Sequence, residues 1–104
     1  MVAVRPGSDR LTAVNSPSFK SETCALFEGP ISTMIIDFSG VSFIDSSGLG
    51  ALVGIMKRAG IKGEVVVCGL EEAIAYSFQI TRMDKVFKVF PNMDAAVQTL
   101  SERP

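Results

Sequence analysis

Met34-Ile35-Ile36-Asp37-Phe38-Ser39-Gly40-Val41-Ser42-Phe43-Ile44-Asp45-Ser46-Ser47-Gly48-Leu49-Gly50-Ala51-Leu52 is the stretch that decides the fold. It opens on a short apolar run and passes through a polar turn. It then enters a segment where Leu49, Leu52, Val53 and Met56 recur at i, i+3, i+4 and i+7, which marks a helix from about Ser47 to Ala59. A second apolar run, Val65-Val66-Val67-Cys68, follows. Continuous rather than alternating apolarity belongs to central strands covered on both faces. Strand, helix and strand in this order predict a right-handed parallel crossover.

Working outward, Val2-Ala3-Val4-Arg5 and Leu11-Thr12-Ala13-Val14 read as strand segments around Pro6-Gly7-Ser8-Asp9, either as a hairpin or as one interrupted strand. Ser16-Pro17 signals a helix start, with serine as cap and proline at the first helical position. That helix shows Phe19, Thr23, Leu26 and Phe27 on one side, and Gly29-Pro30 stops it. A further helix is expected from about Glu71 to Ile80, its acidic first turn matched to the positive helix end. Val86-Phe87-Lys88-Val89-Phe90 reads as a strand, and Pro91-Asn92 opens a last helix facing inward with Met93, Ala96, Val97 and Leu100. The expected class is α/β: one domain over residues 1–104, a small mixed sheet of about four to five strands packed with about four helices.

Composition removes several functions. A hydrophobic fraction of 47% and a formal charge of -1 argue against disorder. Lys57, Arg58 and Lys62 form a loose basic group that reads as a solvated helix end, so a nucleic-acid partner is not expected. Cys24 and Cys68 match no metal or redox spacing and sit in apolar stretches, in keeping with a reducing compartment, the cytoplasm. No apolar run approaches membrane-spanning length. With no histidine, Ser-His-Asp and Cys-His mechanisms and imidazole metal sites are excluded. Neither an enzyme nor a resident cofactor is expected, and no Gly-rich phosphate loop supports a nucleotide-binding reading.

The chemistry concentrates at Asp45-Ser46-Ser47-Gly48-Leu49-Gly50, where a parallel strand gives way to a helix. Such junctions gather functional groups and offer unpaired N–H groups with partial positive charge. Ser46 is placed to cap the helix and Ser47 to enter its first turn, and capping alone explains two serines there. Gly48, Gly50 and Gly54 each cost about 1 kcal/mol against alanine in a helix interior, so something requires close approach there. Either the sheet or a partner fits that requirement.

The stretch from Ile36 to Leu52 resembles the STAS family, and within it the single-domain bacterial anti-sigma factor antagonists. The similarity continues through Glu64–Cys68 and through Ile80-Thr81-Arg82-Met83-Asp84-Lys85-Val86-Phe87, covering about Leu11 to Leu100. The resemblance implies a partner switch with Ser46, the serine directly after the motif aspartate, as phosphorylation site and Ser47 as the lesser candidate. Unmodified, such a protein binds a GHKL-type serine-kinase anti-sigma factor and releases its client. Phosphorylation abolishes binding, and a PP2C-type phosphatase resets the switch. ATP and metal belong to those partners. The implied binding surface comprises Thr12, Asn15, Asp45, Ser46, Ser47, Gly48, Leu49 and Gly50.

Two features depart from the family pattern. Thr12 stands where an aspartate is usual, with Asn15 as a substitute polar contact or simply a pre-helix turn residue. Residues 1 to 10 barely leave room for the strand that relatives carry ahead of this segment, and an uncovered edge invites pairing. The expected state is a monomer or a weak strand-paired dimer. The other reading is a STAS adaptor or scaffold subunit of a transporter or regulatory complex, never phosphorylated. The retained serine favours the switch.

Overall fold

In the computed structural model, which describes residues 1–60 and 63–102, the decisive stretch forms the centre of the molecule. Strand β3 (Thr33–Asp37) pairs in parallel with β5 (Glu64–Cys68), and helix α2 (Ser46–Ala59) connects them. β1 (Val2–Val4) lies outside β3, and β6 (Lys88–Phe90) outside β5, giving the order β1-β3-β5-β6. Every described pair is parallel, so the mixed sheet expected from sequence is corrected to a parallel one.

Both faces of this sheet are covered, which explains the unbroken apolar runs. Met34, Ile36, Val65 and Val67 face a core completed by Phe19 of α1 (Ser16–Ala25), Leu52 and Ile55 of α2, and Ile74 and Phe78 of α3 (Glu72–Ile80). Ile35, Val66 and Cys68 point the other way, into a smaller cluster with Phe90 of β6 and Ala96 of α5 (Met93–Ser101). Phe78 holds the larger core together edge-on to Phe38, with ring centroids 6.0 Å apart, and against Phe87 at 6.3 Å.

Several boundaries differ from expectation. The two N-terminal segments form no hairpin. β1 joins the main sheet, whereas β2 (Arg10–Leu11) pairs with an unforeseen strand, β4 (Phe43–Ile44), in a separate two-stranded ladder. Gly7, at φ 79°, lies in the break between β1 and β2. Thr12–Val14 are not strand but a turn into α1, and Asn15 rather than Ser16 takes the cap position. The expected strand from Val86 loses Val86 to a short helix, α4 (Met83–Val86), and Phe87 to that helix's C-cap. The described residues thus hold five α-helices, besides a 3-10 turn at Leu26–Glu28. On α2, Gly48, Ala51, Leu52 and Ile55 are buried, while Leu49, Val53 and Met56 are half-buried flanks. On α5, Ala96 is buried and Val97 exposed. Lys62 of the basic group lies outside the described residues.

Candidate functional site

The site forms where β4 delivers the chain to α2. Asp45 has extended backbone geometry, and its carboxylate accepts the Gly48 N–H at 2.9 Å, so Asp45 is the helix cap. Ser46, expected in that role, is instead the first helical residue, and Ser47 the second. The reason is competition among three capping residues in a row, settled by the one whose side chain is held on both sides.

The second hold on Asp45 comes from across the ladder. Its other carboxylate oxygen accepts the Ala13 N–H at 3.1 Å, and its own N–H donates to the Leu11 carbonyl at 3.2 Å. The Gly48 N–H chiefly, with Ala13 and other backbone donors adding and partial burial opposing, holds the Asp45 carboxyl below its usual range. It is therefore an anion at neutral pH, fastened to both segments that border the site.

Ser46 and Ser47 are exposed, and their hydroxyls make no hydrogen bond to another described residue. The facing loop is closed on itself. Asn15 accepts the Thr12 N–H at 2.8 Å and donates to the Arg10 carbonyl at 2.7 Å, while Thr12 Oγ1 accepts the Val14 N–H at 3.3 Å. Of the two roles open to Asn15 from sequence, its side chain takes the turn-forming one.

The glycines separate into distinct needs. A Cβ on Gly48 would meet the Leu11 carbonyl oxygen and come within 2.7 Å of Ile44 Cγ1, so this glycine admits β2 to the helix. A Cβ on Gly50 would meet nothing within 4 Å. Internal packing asks for glycine at 48 and not at 50.

The structure therefore gathers Asp45–Gly50 with Thr12 and Asn15 on one end of the molecule. Sequence reasoning passed over three neighbours: Val14, 92% exposed at the loop tip, and Ser16 and Lys20 on α1. The i, i+4 spacing of Ser16 and Lys20 was a usable signal. Arg10 also stacks on exposed Phe43, 4.6 Å from its ring centre. Among the described residues, no three His, Cys, Asp or Glu side chains are grouped to hold a metal ion, and no helix is long and apolar enough to cross a membrane.

A family model described as STAS domain matches residues 2–96. Over 70 residues the chain is 31% identical to an anti-sigma F factor antagonist of Paenibacillus polymyxa, covering 66% of this chain and 57% of that protein. It thus spans little more than half the length of that relative. The crystal structure of an anti-sigma factor antagonist from Mycobacterium paratuberculosis superposes with a TM-score of 0.85 at 24% identity, covering 97% of this chain and 86% of the other. The Bacillus cell fate determinant SpoIIAA in its phosphorylated form gives 0.70 at 21% identity, covering 94% and 88%. At these identities the structural likenesses establish the fold.

Proposed function

Because the chain belongs to the STAS domain family, we propose that it is an anti-sigma factor antagonist, a non-enzymatic binding module switched by phosphorylation of Ser46. Unmodified, it binds a GHKL-type serine-kinase anti-sigma factor and frees that protein's client. A PP2C-type phosphatase restores the binding form. One observation carries this reading: Asp45 performs the capping, so the Ser46 hydroxyl is exposed and makes no hydrogen bond to another described residue.

Modification at such a hydroxyl breaks no native interaction. The phosphate would sit at the start of a 14-residue helix, where N–H groups and the helix dipole tolerate an anion. It adds about -1.5 to -2 charges beside the Asp45 carboxylate. A partner packed on this surface meets that charge and its hydration, while the domain keeps its fold. Loss of one to two decades of affinity requires only about 1.4 to 2.8 kcal/mol. Thr12 contributes no charge, so Asp45 is the acidic group between the loop and the helix.

The test is to incubate the protein with the GHKL-type kinase of its source organism and ATP, then locate phosphate by mass spectrometry and titrate both forms against the kinase. Phosphate on Ser46, its loss in Ser46→Ala but not in Ser47→Ala, and weakened binding are expected. An unmodified Ser46, or a phosphorylated form that binds as tightly as before, refutes the reading. The first outcome points to the adaptor role.

A further inference from the structure

A groove between α1 and α2 adjoins the Ser46 face; its α2 wall shares Ser47 and Gly50 with the binding surface of the proposed switch, whereas its α1 wall has no part in that reading. Ser16, Pro17 and Lys20 form one wall and Ser47, Gly50 and Ala51 the other, around a hollow of about 330 Å³. Three donors border it. Ser16 is only 3% exposed, yet its hydroxyl has no hydrogen-bond partner among the described residues. The small area that Ser16 leaves open keeps this hydroxyl within reach of solvent, so it is available rather than sealed in the core. The groove that Ser16 lines is where a partner can reach it. Ser47 brings a second hydroxyl without a partner among the described residues.

Lys20 supplies the charge. It forms no ion pair with a described residue, and its arm lies across Gly54. A Cβ there would come within 2.5 Å of Lys20 Cε and 2.9 Å of Nζ. Gly54 thus seats the lysine arm along α2, one turn beyond Gly50. Gly50 leaves the floor bare, although nothing inside the fold needs it bare. One cation, two neutral donors, no acidic lining residue and an unobstructed floor match a single carboxylate. A dianionic group would lack half its counter-charge, and an apolar side chain would leave all three donors unpaired.

We propose that this groove receives the carboxylate of an aspartate or glutamate side chain from the protein partner of the switch, and that Lys20 is a specificity-determining contact. The inference rests on the proposed function and extends it. Ser47 lines the groove and follows Ser46 directly, so the acidic side chain and the modified serine belong to one interface.

The probe is the kinase that phosphorylates Ser46, titrated calorimetrically against variants of the full chain. Lys20→Glu weakens the complex roughly tenfold or more, as reversal of a paired interface charge does. Gly50→Gln, which fills the floor, weakens it without changing charge. Lys57→Glu, at the far end of α2, makes the same charge change and shifts affinity less than about twofold. On the wild-type complex, a zero-length carbodiimide joins Lys20 to an acidic residue of the kinase, and changing that residue to lysine restores binding to Lys20→Glu. Wild-type affinity in both Lys20→Glu and Gly50→Gln, in a complex that Ser46 phosphorylation still dissolves, overturns this inference and leaves the switch standing. Absence of both complex and Ser46 phosphate overturns the two together.

Discussion

Replacing Gly48 by alanine should destabilise the domain, although alanine is the better helix former. The added methyl points at the Leu11 carbonyl oxygen and lies 3.2 Å from the Leu11 carbonyl carbon and 2.7 Å from Ile44 Cγ1. Ile44 is buried, and the Leu11 carbonyl accepts the Asp45 N–H, so neither neighbour retreats without opening the β2–β4 ladder. Overpacking of this kind costs about 1–3 kcal/mol. Against it stands the propensity gain from glycine to alanine of about 1 kcal/mol. Gly50→Ala is the internal reference, since it gains the propensity and meets no atom within 4 Å. Subtracting one variant from the other largely cancels propensity and leaves the steric term. Urea unfolding followed by circular dichroism should therefore place Gly48→Ala about 1–3 kcal/mol below Gly50→Ala. For a domain of this size the melting temperatures should separate by about 4–8 °C per kcal/mol. A Gly48→Ala protein as stable as Gly50→Ala would refute the assignment of Gly48 to internal packing.

Two more outcomes follow from buried groups at the carboxyl ends of β3 and β5. Burial of the Asp37 carboxylate pushes its pKa up, but hydrogen bonds from Ser39 and the Arg5 guanidinium at 3.1 Å together outweigh this and hold it below 3.8. Its stabilising contribution is therefore complete above about pH 4 and lost as pH falls through the folded value. Urea titrations across acid pH should show a shallower loss of stability in Asp37→Asn, and an acid limb as steep as wild type would count against the pairing. Burial first, then the Asp37 charge, pushes the Cys68 thiol up to about 11. Native protein at neutral pH should give one reactive thiol, Cys24, with an aromatic disulfide reagent, and two once unfolded. Two fast thiols in the native state would contradict the burial of Cys68.

What could be read from the sequence was whatever produced its signal locally. β3 and β5 were legible because burial on both faces leaves no polar interruption, and α2 because Leu49, Leu52, Val53 and Met56 trace a helical stripe. That stripe located the helix better than its inward face, since Gly48 and Ala51 carry little apolarity yet pack closest. β4 escaped notice because it is two residues long with Phe43 exposed. Thr12–Val14 read as strand because propensity does not register the local side-chain bonds, to the Thr12 N–H and the Arg10 carbonyl, by which Asn15 closes that loop. The cap was undecidable in the run Asp45-Ser46-Ser47, where every residue type is a competent cap. Only the Ala13 N–H, thirty-two residues away, selects Asp45.

That selection governs the rest of the site. Had Ser46 capped α2, a phosphate there would have displaced a bond the helix start depends on, and modification would have been coupled to fraying of the helix. With Asp45 as cap, helix start and β2–α1 loop are fixed by a carboxylate that never needs to move, and the adjacent hydroxyl is left without a structural duty. The glycines divide in the same way, Gly48 toward the ladder within and Gly50 toward open space. Close packing on one side of Ser46 and bare surface on the other make a rigid platform. Under the proposed switch, charge placed on it would fall on the docked partner and leave the supporting core undisturbed.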